Sequence, residues 1–174
     1  MTVLSYGLYL FYWAFLTWKR YGQNTGEGIS PSMEALSLAV PVFGWARVAA
    51  HVRAHRALAQ KAGAPWRVGP KRAALAFAIV TALAWTPLVL RLDGAISFMD
   101  AIAFGLLGVA MVAAVAGLLW SLQRDMNGMW SKVQGNKLLD APVWAGDVAT
   151  GLAGCLVWAD TMLTILSAPY RAGI

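Results

Sequence analysis

The sequence predicts an all-α, polytopic integral membrane protein with about five transmembrane helices. Three observations carry that expectation. Of 174 residues, 59% are hydrophobic and 13% charged, whereas a soluble domain is about half apolar and about a quarter charged. The apolar residues gather into five runs separated by polar or glycine-rich tracts, the pattern of spans and their connections. The net charge is +6, and the basic residues cluster in one connection. That distribution fits membrane topology and anionic lipid, and no nucleic-acid partner is expected. A soluble domain of this length would need more polar surface to cover one core.

The first run, residues 3–18, has 16 residues, about 24 Å as helix and short for a span. It lacks the basic n-region and small-residue cleavage site of a signal peptide, so it reads as a retained segment. Lys19 and Arg20 close it, and the tract from Tyr21 to Gly28 is a loop by its glycines and asparagine. An interfacial or re-entrant first helix, leaving four spans, is the alternative.

The second span, residues 33–51, opens at Ser30-Pro31-Ser32, a helix-start signal. Glu34 sits at the positive end of the helix dipole. Pro41 should kink this helix, Gly44 allows close packing, and Arg47 interrupts the apolar run. The helix is expected to continue as a basic amphipathic collar, residues 51–72, at the cytoplasmic surface. Val52, Leu58 and Ala62 would face lipid there. Arg53, Arg56, Lys61, Arg67, Lys71 and Arg72 would meet phospholipid head groups. The third span, residues 73–90, carries no charge, and Pro87 implies a bend or an early exit. The fourth, residues 101–122, is uncharged over 22 residues and is the clearest. A polar interfacial connection follows over residues 123–147. The fifth span, residues 148–168, is interrupted only by Asp160. Together the five spans and their connections form one membrane domain, residues 1–174. If all five cross, the side holding the N-terminus carries nine Lys+Arg and the other carries Lys19, Arg20, Arg91 and Arg171. The positive-inside rule then places the N-terminus in the cytoplasm.

Gly7-Leu8-Tyr9-Leu10-Phe11-Tyr12-Trp13 resembles the G-x-Y-x-x-Y-W first helix of a family of small bacterial membrane proteins of unknown function. The likeness continues through Ile29-Ser30-Pro31, the helix bearing Pro41 and the basic extension to Ala62-Gly63. Gln123-Arg124-Asp125-Met126-Asn127-Gly128-Met129-Trp130 is similar to that family's Q-R-x-x-N-x-x-W segment, with Met126 or Met129 where a tyrosine is usual. The resemblance covers about residues 6–63 and 118–160. It implies a multi-helix membrane protein and no particular chemistry.

Four constellations are candidates for function. Tyr9 and Trp13 share a helix face, while Trp18, Trp66, Trp120 and Trp144 fall at segment boundaries, as interfacial anchors do. His51 and His55, at i and i+4, have a spacing that can hold a metal or offer an axial ligand to haem or chlorophyll. Arg53 and Arg56 beside them, and the absence of a nearby carboxylate, favour a cationic surface helix instead. Asp160 is a costly intramembrane acid. Arg91 and the hydroxyls of Thr161 and Thr164 are its expected partners, and a structural role outweighs a proton path. Gly105, Ala113 and Gly117, with Gly146, Thr150 and Gly154, carry the small-residue spacing of close helix packing. Glu34, Arg47 and Asp160 do not converge at one depth, so no catalytic residue and no enzyme activity are expected. The favoured function is a non-catalytic accessory subunit of a larger membrane protein complex, with bound phospholipids and no other cofactor or metal. The alternative is a haem- or chlorophyll-binding redox or light-harvesting subunit.

Overall fold

A computed structural model describes residues 5, 7–40, 42–90, 97–134 and 145–172. Among them the chain is all-helical, without strands, and two of its helices are long and apolar enough to cross a membrane. The helices are α1 (Tyr9–Thr25), α2 (Pro31–Leu36), α3 (Phe43–Lys61), α4 (Pro70–Leu90), α5 (Phe98–Val133), α6 (Ala145–Leu166) and α7 (Ala168–Ala172), with one 3-10 turn at Ser37–Ala39. The expected Pro41 kink, Arg91 and Trp144 lie outside the described residues.

Local signals explain the helix limits. Gly26, at φ 73°, closes α1 through its N–H to the Gly22 carbonyl, a left-handed C-cap that glycine adopts without strain. Pro31 starts α2, where its missing N–H costs nothing. The Ser97 hydroxyl accepts the Asp100 N–H at 3.1 Å and caps α5. α4 continues to Leu90, three residues beyond Pro87.

The second apolar run is not one kinked helix. It breaks into α2, the 3-10 turn and α3, and the chain reverses at Val40–Val42. Val42 takes φ 63° and ψ −54°, close to the strained γ-turn geometry. The reversal is tight because Gly44 has no side chain: a Cβ there would lie 2.7 Å from the Leu38 carbonyl oxygen.

The reversal changes which ends of the helices meet. Trp13 packs against His51 with ring centroids 5.3 Å apart, Trp18 edge-on against His51 and His55 at 4.9 and 5.7 Å, and Tyr21 against His55 at 5.1 Å. Later residues of α1 meet later residues of α3, so the two helices run parallel. Lys19 and Arg20 therefore stand at the same end as Arg53 and Arg56, not at the opposite end. α4 returns antiparallel to α3, and the Trp45 indole N–H donates to the Thr81 hydroxyl between them. α5 then runs back to the 64–69 loop. α6 starts beside α1, where a Cβ on Gly146 would meet the Tyr12 ring, and ends beside Gly105, whose missing Cβ makes room for Ile165.

The core is one cluster. Leu10, Trp13, Val48, Val52, Phe77, Leu119, Leu122, Met126 and Met129 belong to it. Val52 is fully buried. The apolar face of the basic helix thus packs on protein, where the sequence alone assigned it to lipid.

Candidate functional site

The α1–α3 interface holds the His51–His55 pair. Spacing by four places both imidazoles on one face, with centroids 4.3 Å apart. Both are buried. Trp13, Thr17, Trp18 and Tyr21 of α1 enclose them. The expected cationic, head-group-facing position is overturned for these two residues, because α1 covers the face that carries them. Trp13 and Trp18 are likewise buried against the pair rather than anchored at an interface. Arg53, Arg56, Lys61, Arg67, Lys71 and Arg72 are all exposed.

Hydrogen bonds set the proton positions. Thr17 gives its hydroxyl proton to the carbonyls of Trp13 and Ala14, so across the 3.4 Å contact it accepts from His51 Nε2–H. His55 Nδ1–H donates to the His51 carbonyl at 2.9 Å. The remaining nitrogens, His51 Nδ1 and His55 Nε2, are buried without a hydrogen-bond partner. Burial pulls the His55 pKa down from 6.5 to about 4, because an imidazolium would lose its hydration there.

The void beside His51 is about 20 Å³ and is otherwise walled by Leu10, Trp13, Ala14, Trp18, Leu38, Val48, Phe77, Leu118 and Leu122. The Trp13 indole N–H is already committed to Gln123 Oε1 at 2.6 Å. A water in this void would find too few polar partners. A porphyrin-sized macrocycle does not fit.

Glu34 and Arg47, expected near opposite faces, form an ion pair at 3.0 Å. The chain reversal at Val40–Val42 brings them together.

Asp125 was not singled out by sequence. Its carboxylate is buried, and Oδ2 accepts the backbone N–H groups of Arg67 and Val68 at 2.7 and 2.9 Å. It pins the α3–α4 connection to α5. Trp66 closes the same loop by donating to the Val68 carbonyl at 2.8 Å. The only local signal is an acid set among Met126, Met129 and Trp130; its partners are backbone groups of a distant loop.

A second site lies between α4, α5 and α6. A cleft of about 190 Å³ is lined by residues including Leu83, Phe104, Gly105, Met111, Asp160 and Thr161. Asp160 accepts from the Tyr170 hydroxyl of α7, so a C-terminal tyrosine is a partner that sequence reasoning missed. The expected local donors do otherwise. Thr161 gives its proton to the Val157 carbonyl at 2.9 Å, and Thr164 gives its own to the Asp160 carbonyl at 2.8 Å.

The small residues divide by use. Gly105, Gly146 and Gly154 are packed within the chain, with Thr150 half-buried beside them, its hydroxyl bonded to the Gly146 carbonyl at 2.8 Å. Ala113 and Gly117 are exposed, and nothing lies within 4 Å of where a Gly117 Cβ would stand. Trp120 is exposed next to them, under the Arg124 guanidinium at 5.2 Å from its ring centroid. Tyr9 and Trp66 are half-buried. No family model, curated protein or solved structure matches the chain.

Proposed function

We propose that this chain is a non-catalytic accessory subunit of a larger bacterial inner-membrane assembly. One observation carries the reading: α5 keeps an outward stripe that the chain's own packing does not use. Leu106, Ala110, Ala113, Gly117 and Trp120 lie along it, all exposed. Small residues between two large ones let another helix approach closely. The most apolar stretch of α6 is only 17% buried, so this half of the molecule needs lipid or protein around it.

The topology in this reading has three spans rather than five: α4, α5 and α6. α1, α2 and α3 form a packed bundle at the basic end. Lys19 and Arg20 join the collar cations there, which strengthens the positive-inside bias for a cytoplasmic N-terminus. The exposed cations hold that end on anionic phospholipid, each worth about 1 kcal/mol near the surface.

The haem or chlorophyll reading has one observation in its favour, the two unpartnered ring nitrogens. Against it, the void beside His51 is small and apolar among the described residues. The purified chain is therefore expected to be colourless.

Replacing Ala113 or Gly117 by Ile tests the reading. In mildly solubilised native membranes the parent chain should migrate in a high-mass assembly. The Ile variants should leave it while keeping their own helicity and melting temperature. A parent chain that is monomeric in native membranes, or Ile variants that stay associated, would contradict the proposal. So would a stoichiometric absorbance band abolished by His51→Ala or His55→Ala.

A further inference from the structure

We propose that the limb from Pro31 to Ala46 is a re-entrant hairpin. It enters one leaflet of the membrane from the basic end, turns at Val40–Val42 and returns in α3 without crossing, with phospholipid acyl chains packed around its turn. The proposal rests on the reading of α4 as a span, and deepens it by naming what α2 and the start of α3 touch.

The exposed side chains come first. Met33 and Leu36 of α2, Val40 and Val42 at the reversal, and Phe43 of α3 are each between 48% and 66% exposed. Large apolar side chains left outward this densely need a covering medium. No charged residue occurs between Glu34 and Arg47, and those two neutralise each other at 3.0 Å. The Arg47 guanidinium also lies 4.7 Å from the Phe43 ring centroid, a contact that strengthens as water is removed. Val42 holds a β-branched side chain at φ 63°, where glycine would carry no strain. What the valine adds is an exposed isopropyl group.

Register against α4 sets the depth. The Trp45 indole N–H donates to the Thr81 hydroxyl at 2.8 Å. Thr81 follows Arg72 by nine residues, about 14 Å along the helix, and half of a hydrocarbon core is about 15 Å. With Lys71 and Arg72 at the head groups, Trp45 stands near the bilayer centre. The reversal precedes it in α3 and lies further still from the basic end. Leu75 and Ile79 of α4 are exposed at the heights in between.

Irregular main chain at that depth must have its polar groups satisfied by protein. The Ser37 carbonyl accepts the Val40 N–H at 3.3 Å, the Val40 carbonyl the Gly44 N–H at 2.7 Å, and the Val42 carbonyl the Ala46 N–H at 3.3 Å. These bonds close within the limb and need no water. The exposed side chains come from two helices and the turn between them, not from one helix stripe. Fluid acyl chains cover such a surface more readily than a single partner helix does.

The test uses the full chain with Cys155→Ala, in vesicles of phosphatidylcholine and phosphatidylglycerol. Ser32→Cys, Leu36→Cys, Val42→Cys, Ala46→Cys and Arg53→Cys each carry a nitroxide. Its collisions with oxygen, which enters hydrocarbon, are compared with its collisions with a polar nickel chelate. Depth should rise from 32 to 42 and fall again to 53. The oxygen-to-nickel ratio at 42 should exceed that at 53 by at least about tenfold, because the chelate is excluded from hydrocarbon. Should Val42→Cys not fold, Phe43→Cys takes its place. Leu106→Cys on α5 should be as lipid-exposed as position 42. An aqueous label at 42 beside a lipid-exposed one at 106 overturns the hairpin and leaves the spans standing, whereas aqueous labels at both overturn the spans as well. A depth that keeps increasing from 42 to 53 would mean a crossing helix and overturns the proposal. So does a label at 42 shielded from both reagents, which would mean that a second copy of the chain covers the turn.

Discussion

The His55 imidazole is held neutral by its surroundings, and that neutrality has a pH cost. Folded, its pKa is about 4; the reference value is 6.5. Above 6.5 neither the folded nor the unfolded chain binds this proton, and the fold keeps its full stability. As pH falls from 6.5 towards 4, the unfolded chain takes up a proton that the folded chain refuses, so stability declines. Below 4 both forms are protonated and this contribution is flat. The expected loss across the window is about 3 kcal/mol, at about 1.4 kcal/mol per pH unit. Burial pushes the neighbouring His51 down as well, so denaturation midpoints between pH 7 and 4 read both rings, and His55→Phe should reduce the slope by its own share while His51 keeps the rest. Asp125 makes the second prediction at this scale. Asp125→Ala leaves the Arg67 and Val68 N–H groups without their charged acceptor, and should cost about 2–4 kcal/mol in thermal or chemical unfolding. The two residues differ in how far sequence could reach them. An i,i+4 spacing placed both histidines on one face, but their neutrality depends on Trp18 and Tyr21 arriving from another helix. Asp125 had no legible role, because its partners are main-chain groups 57 and 58 positions away.

At the scale of elements, the Val40–Val42 reversal decides which helices meet. Val42 is β-branched, exposed and at positive φ, a conformation that costs about 1–3 kcal/mol for such a residue. Val42→Gly is expected to raise stability by about 1 kcal/mol, read as an upward shift in melting temperature. Gly44→Ala should act the other way. Its Cβ would press on the Leu38 main chain, and overpacking of this kind costs about 1–3 kcal/mol. The helix start at Pro31 and the long apolar runs of α5 and α6 were readable from local chemistry, whereas the Ser97 cap of α5 was not singled out. The reversal was not. Pro41 signals an interruption of a helix, but whether the chain bends or turns back depends on Gly44 finding the Leu38 carbonyl beneath it. The parallel pairing of α1 with α3, and the Glu34–Arg47 contact, follow from that long-range fit.

For the whole molecule, the exposed cations of α1, α3 and the start of α4 gather at one end, while exposed apolar residues run along the length of α5 and α6. Composition raises the expectation of a membrane, and two of the described helices are long and apolar enough to cross one. The number of crossings cannot be counted from apolar runs alone, because such a run can cover a neighbouring helix as well as face lipid. The central claim is that α4, α5 and α6 cross while α1, α2 and α3 stay at the basic end. Single cysteines introduced at positions 27, 65, 96 and 135 of a Cys155→Ala chain, probed in intact cells with a membrane-impermeant thiol reagent, test it most directly. Position 27 should be protected together with 65 and 135, and position 96 should be labelled from outside. Labelling of position 27 from outside while position 65 is protected would mean that α1 and the following segment cross separately, and would contradict the account.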